Sequence, residues 1–299
     1  MTAAQGWEYA LGGDVQRIAR CITWIEEEHP DIAACLRTLP PQPRARITGI
    51  TGPPGAGKST LVDTLIGQMT AAGRRVAVLC VDPSSPFTQG AILGDRVRMA
   101  RWYQHPGVFI RSLASRGSLG GLHPQIWEIA QFLSACPFED IIIETVGVGQ
   151  SEVEIAGLAD ITVVVLVPES GDEIQTLKAG LMEVADIFAV NKCDRPDADL
   201  FVHSLQQMMS VGRRAEEAPT PVIRTVASRG EGVAQLLDAM DRQALQASDS
   251  RQLDSMTDRA WHLIMKKRMK DVRKANLRNR ISNLQARGAF NLYAFIENY

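Results

Sequence analysis

The chain has 299 residues, 45% of them apolar, a formal net charge of −2 and five cysteines. That composition suits a large buried core, either one α/β domain with appendages or two smaller domains. It excludes several classes at once. The longest apolar stretch, Ile161 to Val167 with Thr162 inside it, falls far short of the roughly 20 residues that cross a membrane as a helix. Cys21, Cys35, Cys80, Cys136 and Cys193 are odd in number, scattered and without a C-x-x-C pair, which argues against a disulfide framework or a cysteine metal site. The opening MTAAQGWEYALGGDV has neither a basic start with an apolar core nor an Arg-rich amphipathic pattern, so the expectation is a cytoplasmic protein with no membrane role.

In chain order, Val15, Ile18, Ala19, Ile22 and Ile25 recur at helical spacing over 14–28, with Asp14 as N-cap. Pro40, Pro41 and Pro43 then form a stiff connector, so 1–43 is expected to be an N-terminal helical extension. An apolar run with Ile47 and Ile50 feeds into Gly52, Pro53, Pro54, Gly55, Ala56, Gly57, Lys58, Ser59 and Thr60, which spell G-x-x-x-x-G-K-[ST]. Such a loop turns backbone N–H groups around phosphates. Lys58 reaches the β and γ oxygens, and the Ser59 hydroxyl ligates Mg²⁺ at a helix N-terminus. Leu61 to Met69 reads as that helix, so a nucleoside triphosphate is the expected ligand.

Further apolar runs at Val76 to Val81, Val108 to Ile110, Asp140 to Ile143, Ile161 to Val167, Ile187 to Val190 and Val222 to Val226 alternate with helical stretches. The expected fold class is therefore α/β, a P-loop domain over 44–247 whose mostly parallel sheet is covered by helices on both faces. Asp82 closes one of these strands and Asp95 lies in the loop that follows. Each is a candidate for Mg²⁺, directly or through water, with capping of Pro83 to Ser85 or pairing with Arg96 or Arg98 as the alternatives. Glu144 to Gly147 stands where many GTPases carry D-x-x-G, with Val148 in the place of a water-positioning Gln.

Asn191-Lys192-Cys193-Asp194 follows a strand and matches N-K-x-D, which selects guanine: the Asp194 carboxylate accepts from N1–H and the 2-amino group, where adenine has no donors. Val226-Ala227-Ser228 lies where GTPases place a loop whose backbone N–H meets the guanine carbonyl. After Ser248 the strand signals stop. About 30 helical residues there would extend about 45 Å, a C-terminal helical arm over 248–299. Its Arg259 to Arg287 stretch holds ten Lys/Arg, one acidic residue and only Trp261 as an aromatic. That composition reads as a solvated face or a contact to an acidic partner, and nucleic acid is not the expected partner.

With these residues assembled, nearly the whole chain resembles the methylmalonyl-CoA mutase-associated GTPase chaperones. The resemblance rests on GITGPPGAGKST, VDPSSPFTQGAILGDRVRM, FIRSLASRGSLGGL, IIIETVGVGQSE, SGDEIQTLKAG and NKCD. It implies a GTPase that binds GTP/GDP and Mg²⁺, with Ser59, Asp82, Asp95 and Glu144 around the metal. It also implies a nucleotide-responsive segment from Glu169 to Lys178, a homodimer formed through the C-terminal arm, and an adenosylcobalamin-dependent acyl-CoA mutase as partner. Lys58, Glu144 and Lys178 are then the expected catalytic groups, with an arginine such as Arg98 as the alternative to Lys178 for the group that a partner orders. The chain departs from the family pattern at Glu169-Ser170 and over Lys266 to Arg280. Two rival classes are a metallochaperone-type GTPase, for which His29, His105, His123, His203 and His262 are isolated, and a nucleic-acid-binding GTPase using the basic arm.

Overall fold

The computed structural model describes residues 2–40, 45–82, 99–115, 122–145, 151–168, 179–210, 219–246, 249–269 and 271–297. Two compact units are present, Met1–Ala247 and Ser248–Tyr299.

Among the described residues of the first unit, seven strands form one sheet: β1 (Arg46–Thr51), β2 (Val76–Asp82), β3 (Val108–Ala114), β4 (Asp140–Glu144), β5 (Ile161–Leu166), β6 (Ile187–Val190) and β7 (Val222–Arg224). Their order is β3-β2-β4-β1-β5-β6-β7, and every neighbouring pair is parallel. The expected α/β class with a covered parallel sheet is borne out. Alternate residues serve opposite faces: Ala77, Leu79 and Val81 of β2 enter one core, and Val76, Val78 and Cys80 the other. On the first face pack α1 (Ala3–Leu11), α2 (Val15–Glu26) and α5 (Ile126–Ala135), with the Trp7 and Phe132 rings 4.6 Å apart. On the second pack α4 (Lys58–Ala71) and α9 (Val233–Gln246), and a third cluster joins β5 and β6 to α8 (Ala198–Ser210). The short α3 (Ile32–Leu36), α6 (Ser151–Leu158) and α7 (Ala179–Val184) complete the layers.

Four local outcomes differ from the sequence expectation, the first being that β7 ends at Arg224, two residues short of Val226. The N-terminus before Asp14 forms α1, fixed by a reciprocal capping box in which Thr2 and Gln5 satisfy each other's backbone N–H groups. Strand β3 continues four residues past Ile110, because Arg111 is neutralised from α2 by Glu26 at 2.5 Å and a polar residue can stay in the strand. In the second unit the long helix is divided into α10 (Asp249–Arg268), α11 (Lys274–Ala286) and α12 (Leu292–Glu297). Asp271 and Val272, both modest helix formers, sit at the first break.

At the N-terminal edge of the sheet, Arg46 meets both Asp140 and Asp241 at 2.5 Å, and Arg74 meets Asp241 at 2.6 Å. This network ties the first residues of β1 and β4 to α9. Hydrogen bonding from Arg74 holds the Asp241 carboxyl below its usual range, outweighing partial burial, and Arg46 adds to the effect. A depressed carboxyl contributes stability that is present above the unfolded-state pKa, about 3.9, and is lost as pH falls through the lower folded value. Asp241→Asn is therefore expected to cost about 1–2 kcal/mol at neutral pH, with the gap from wild type closing in strong acid. Urea titrations across pH check this, and a pH-independent gap would contradict it.

Candidate functional site

The C-terminal ends of β1, β4 and β6 converge on one edge, the position where parallel α/β sheets place ligands. The phosphate-loop motif leaves β1 at Gly52 and enters α4 at Lys58. Gly52 has φ +133°, and a Cβ there would lie 2.1 Å from the Val165 carbonyl oxygen; Gly57 has φ +89°, and a Cβ there would strike Asn191 Nδ2 at 2.4 Å. Only glycine fits either place.

Lys58 is buried, and its ammonium donates to the carbonyls of Gly52 at 2.8 Å and Pro53 at 3.0 Å, which folds the side chain back over the loop it serves. The Ser59 hydroxyl donates to Glu144 Oε1 at 2.7 Å, joining the start of α4 to the end of β4. Thr145, next in the chain, pairs its hydroxyl with Thr51 at 2.9 Å, and its N–H continues the ladder to Ile50 at 3.0 Å. Glu144 and Asp82 are both buried at the ends of adjacent strands, Asp82 lying two residues beyond Cys80, the register partner of Glu144. A hydroxyl and buried carboxylates are hard oxygen donors. Such a set fits Mg²⁺, which takes one or two carboxylates and leaves its other positions to water and phosphate.

The N-K-x-D motif follows β6. Asn191 is buried and bridges three segments: its Nδ2 donates to the Ala56 carbonyl at 2.9 Å, and its Oδ1 accepts from Ala227 N–H at 3.0 Å and from the Thr225 hydroxyl at 3.2 Å. Lys192, with φ +59°, reaches back to the Gly55 carbonyl at 2.7 Å. Asp194 keeps its carboxylate partly open, 3.4 Å from Arg229. The helical turn Ala227–Arg229 follows Val226, so Val226, Ala227 and Ser228 flank the same opening, with Val226 and Ala227 buried and Ser228 exposed.

Of the sequence-selected residues, Gly52 to Thr60, Asp82, Glu144, Asn191, Lys192, Asp194 and Val226 to Ser228 thus lie along one edge or in its loops. Asp95, Val148 and Lys178, like the whole segment Glu169 to Lys178, lie outside the described residues. Sequence reading passed over Thr51, Thr64, Thr145 and Thr225. Places beside strand ends and motifs could have flagged Thr51, Thr145 and Thr225, but nothing local marks Thr64 inside α4. All five cysteines are free, and burial pushes the Cys21 and Cys136 thiols up to about 12, so both are protonated and poor metal ligands at neutral pH.

Residues 18–280 match the model of the family described as methylmalonyl-CoA mutase-associated GTPase MeaB. The chain belongs to that family. It is a P-loop GTPase. A protein of Pyrococcus horikoshii named as a GTPase is 47% identical to it over 75% of this chain and 72% of its own length. GTPase ArgK of Escherichia coli is 35% identical over 75% of this chain and 70% of its own. The mitochondrial methylmalonic aciduria type A homolog of Mus musculus is 37% identical over 64% of this chain and 47% of its own length. Among solved structures, a LAO/AO transport system kinase aligns with a TM-score of 0.70, covering 99% of this chain and 96% of that one at 23% identity. HypB from Helicobacter pylori in complex with nickel aligns with a TM-score of 0.50, covering 69% of this chain and 91% of that one at 14% identity. At these identities both structures speak to the fold of the GTPase alone.

Proposed function

We propose that this GTPase is the chaperone of an adenosylcobalamin-dependent acyl-CoA mutase, gating cofactor loading and protecting the mutase from inactivation under the control of GTP binding and hydrolysis. The observation that carries the reading is the family match over 18–280 to mutase-associated GTPases, together with the phosphate-loop and guanine motifs drawn into one site. The relative named for methylmalonic aciduria adds support.

In this reading Lys58 and the loop from Gly52 to Thr60 bind the phosphates, and Asn191, Lys192, Asp194 and the turn at Val226 to Ser228 hold guanine. Ser59, Glu144, Asp82 and Asp95 are the residues that would hold Mg²⁺, and the ion would supply positive charge against the phosphates. Lys58 does the same from the protein side. Lys178 is assigned to the nucleotide-responsive segment, with a catalytic part once a partner orders it. The working arrangement is an extension over 1–43, a GTPase domain over 44–247 and a dimerisation arm over 248–299, in a cytoplasmic homodimer. The arm's exposed Leu253, Met256, Trp261, Ile264 and Met265 on α10 suit an apolar contact between copies.

The test is single-turnover GTP hydrolysis by the full-length protein with and without purified adenosylcobalamin-dependent mutases. With Val148 in place of a water-positioning glutamine, the free protein is expected to hydrolyse slowly, and the right mutase to accelerate it, by about 10³- to 10⁵-fold if a partner completes the site as arginine-finger partners do. Cofactor delivery to the apo-mutase should require GTP. A chain that neither binds nor is accelerated by any such mutase would retire the proposal.

A further inference from the structure

The guanine-facing turn is held from a direction that the nucleotide motifs do not include. Thr64 lies on α4, four residues after Thr60, and its hydroxyl is 2.9 Å from the Ala227 carbonyl oxygen and 3.0 Å from that of Thr60. The Ala227 carbonyl also accepts from Gly230 N–H at 3.2 Å, and Ala227 N–H is taken by Asn191 at 3.0 Å. Both polar groups of this buried residue are therefore fixed, one by the guanine motif and one by the phosphate-binding helix. The peptide bond between Ala227 and Ser228 is trans, as are the others among the described residues. A trans planar peptide directs C=O and N–H oppositely. With the carbonyl drawn toward α4, the N–H of the exposed Ser228 is aimed away from that helix. The next residue, Arg229, comes within 3.4 Å of the Asp194 carboxylate, so the turn borders the place where the base would be read.

We propose that Thr64 is a positioning residue for base recognition: through the Ala227 carbonyl it orients the Ser228 N–H to donate to the 6-oxo group of guanine. Asp194 then reads the donor edge of the base and the Thr64-oriented peptide reads its acceptor. The same link places one side chain of the phosphate-binding helix under the base-reading turn. The inference rests on the guanine reading of Asn191 to Asp194, and its test separates the two.

The experiment measures binding of GDP and of 6-thioguanosine diphosphate, which keeps N1–H and the 2-amino group but replaces the 6-oxo acceptor with a weakly accepting sulfur, to the full-length protein and to Thr64→Val and Thr64→Ser. Loss of one oriented hydrogen bond predicts roughly a tenfold fall in GDP affinity for Thr64→Val. Thr64→Ser should restore wild-type affinity, and the 6-thio analogue should lose much less than GDP does between wild type and Thr64→Val. A general loosening of the site would instead weaken both nucleotides by the same factor, and that result overturns the proposal, as does unchanged GDP affinity in Thr64→Val. If Thr64→Val does not fold, Thr64→Ala takes its place in the same comparison. A wild-type protein that binds ADP as well as GDP would refute the guanine reading itself, whatever Thr64 does.

Discussion

Asp194→Asn is expected to weaken GTP binding about 100-fold while improving binding of xanthosine triphosphate. The carboxylate offers acceptors to both guanine donors, whereas the amide offers one acceptor and turns a donor toward the 2-amino group. Charge-assisted hydrogen bonds contribute about 1.5–3 kcal/mol each, so the loss of one, with a donor left facing a donor, sets the size of the effect. In xanthine a 2-oxo group replaces the amine, and the Asn side chain can donate to it. The site geometry favours a clean experiment: Asp194 is partly open and Asn191, not Asp194, links the loop to Ala56 and Ala227. Fluorescent-nucleotide competition with GTP, xanthosine triphosphate and ATP measures it. Equal affinity of the wild type for ATP and GTP would defeat the guanine assignment.

The reach of sequence reading in this chain follows from what each signal encodes. Unbroken runs such as Ile161 to Leu166 announce strands buried on both faces, and a Gly-rich loop between a strand and a helix carries its geometry in its spacing. The fold class was therefore legible, and so was the link of β1 to α4 around Gly52 and Gly57. Polar residues inside elements hid the rest. Arg111 and Ser112 broke the apolar run of β3, and the compensating Glu26 lies 85 residues away on another element. The contact of Thr64 with Ala227 spans 163 positions, and no local pattern distinguishes this threonine from one that only back-bonds to its own helix. The division of the C-terminal helices at Asp271 and Val272 is a weak propensity effect that an otherwise helical pattern overrides on inspection. Asp95 and Lys178 fall outside the described residues; Asp95 is read from its place in the loop after β2 as well as from the resemblance, and Lys178 from the resemblance.

The second large effect is expected at Glu144. Its Oε1 accepts from the Ser59 hydroxyl at 2.7 Å, it is buried, and its register partner on β1 is Ile50, at the mouth of the phosphate loop. Glu144→Gln preserves the shape of the side chain and an oxygen for Ser59, so the fold should survive and thermal unfolding should shift little. What disappears is the negative charge that a magnesium-binding role requires. Single-turnover GTP hydrolysis is expected to fall about 10²- to 10³-fold, the size of effect seen when one preorganised electrostatic contact to a reacting phosphoryl or acyl group is removed. The Mg²⁺ concentration for half-maximal rate should rise, while GDP binding measured with a chelator present should remain near wild type, because the phosphate loop and Asn191 are untouched. These readouts divide two meanings of the Ser59 to Glu144 contact. A carboxylate serving only as a hydrogen-bond acceptor would be replaced by Gln with little change in rate or Mg²⁺ requirement, and that outcome would remove Glu144 from the metal site.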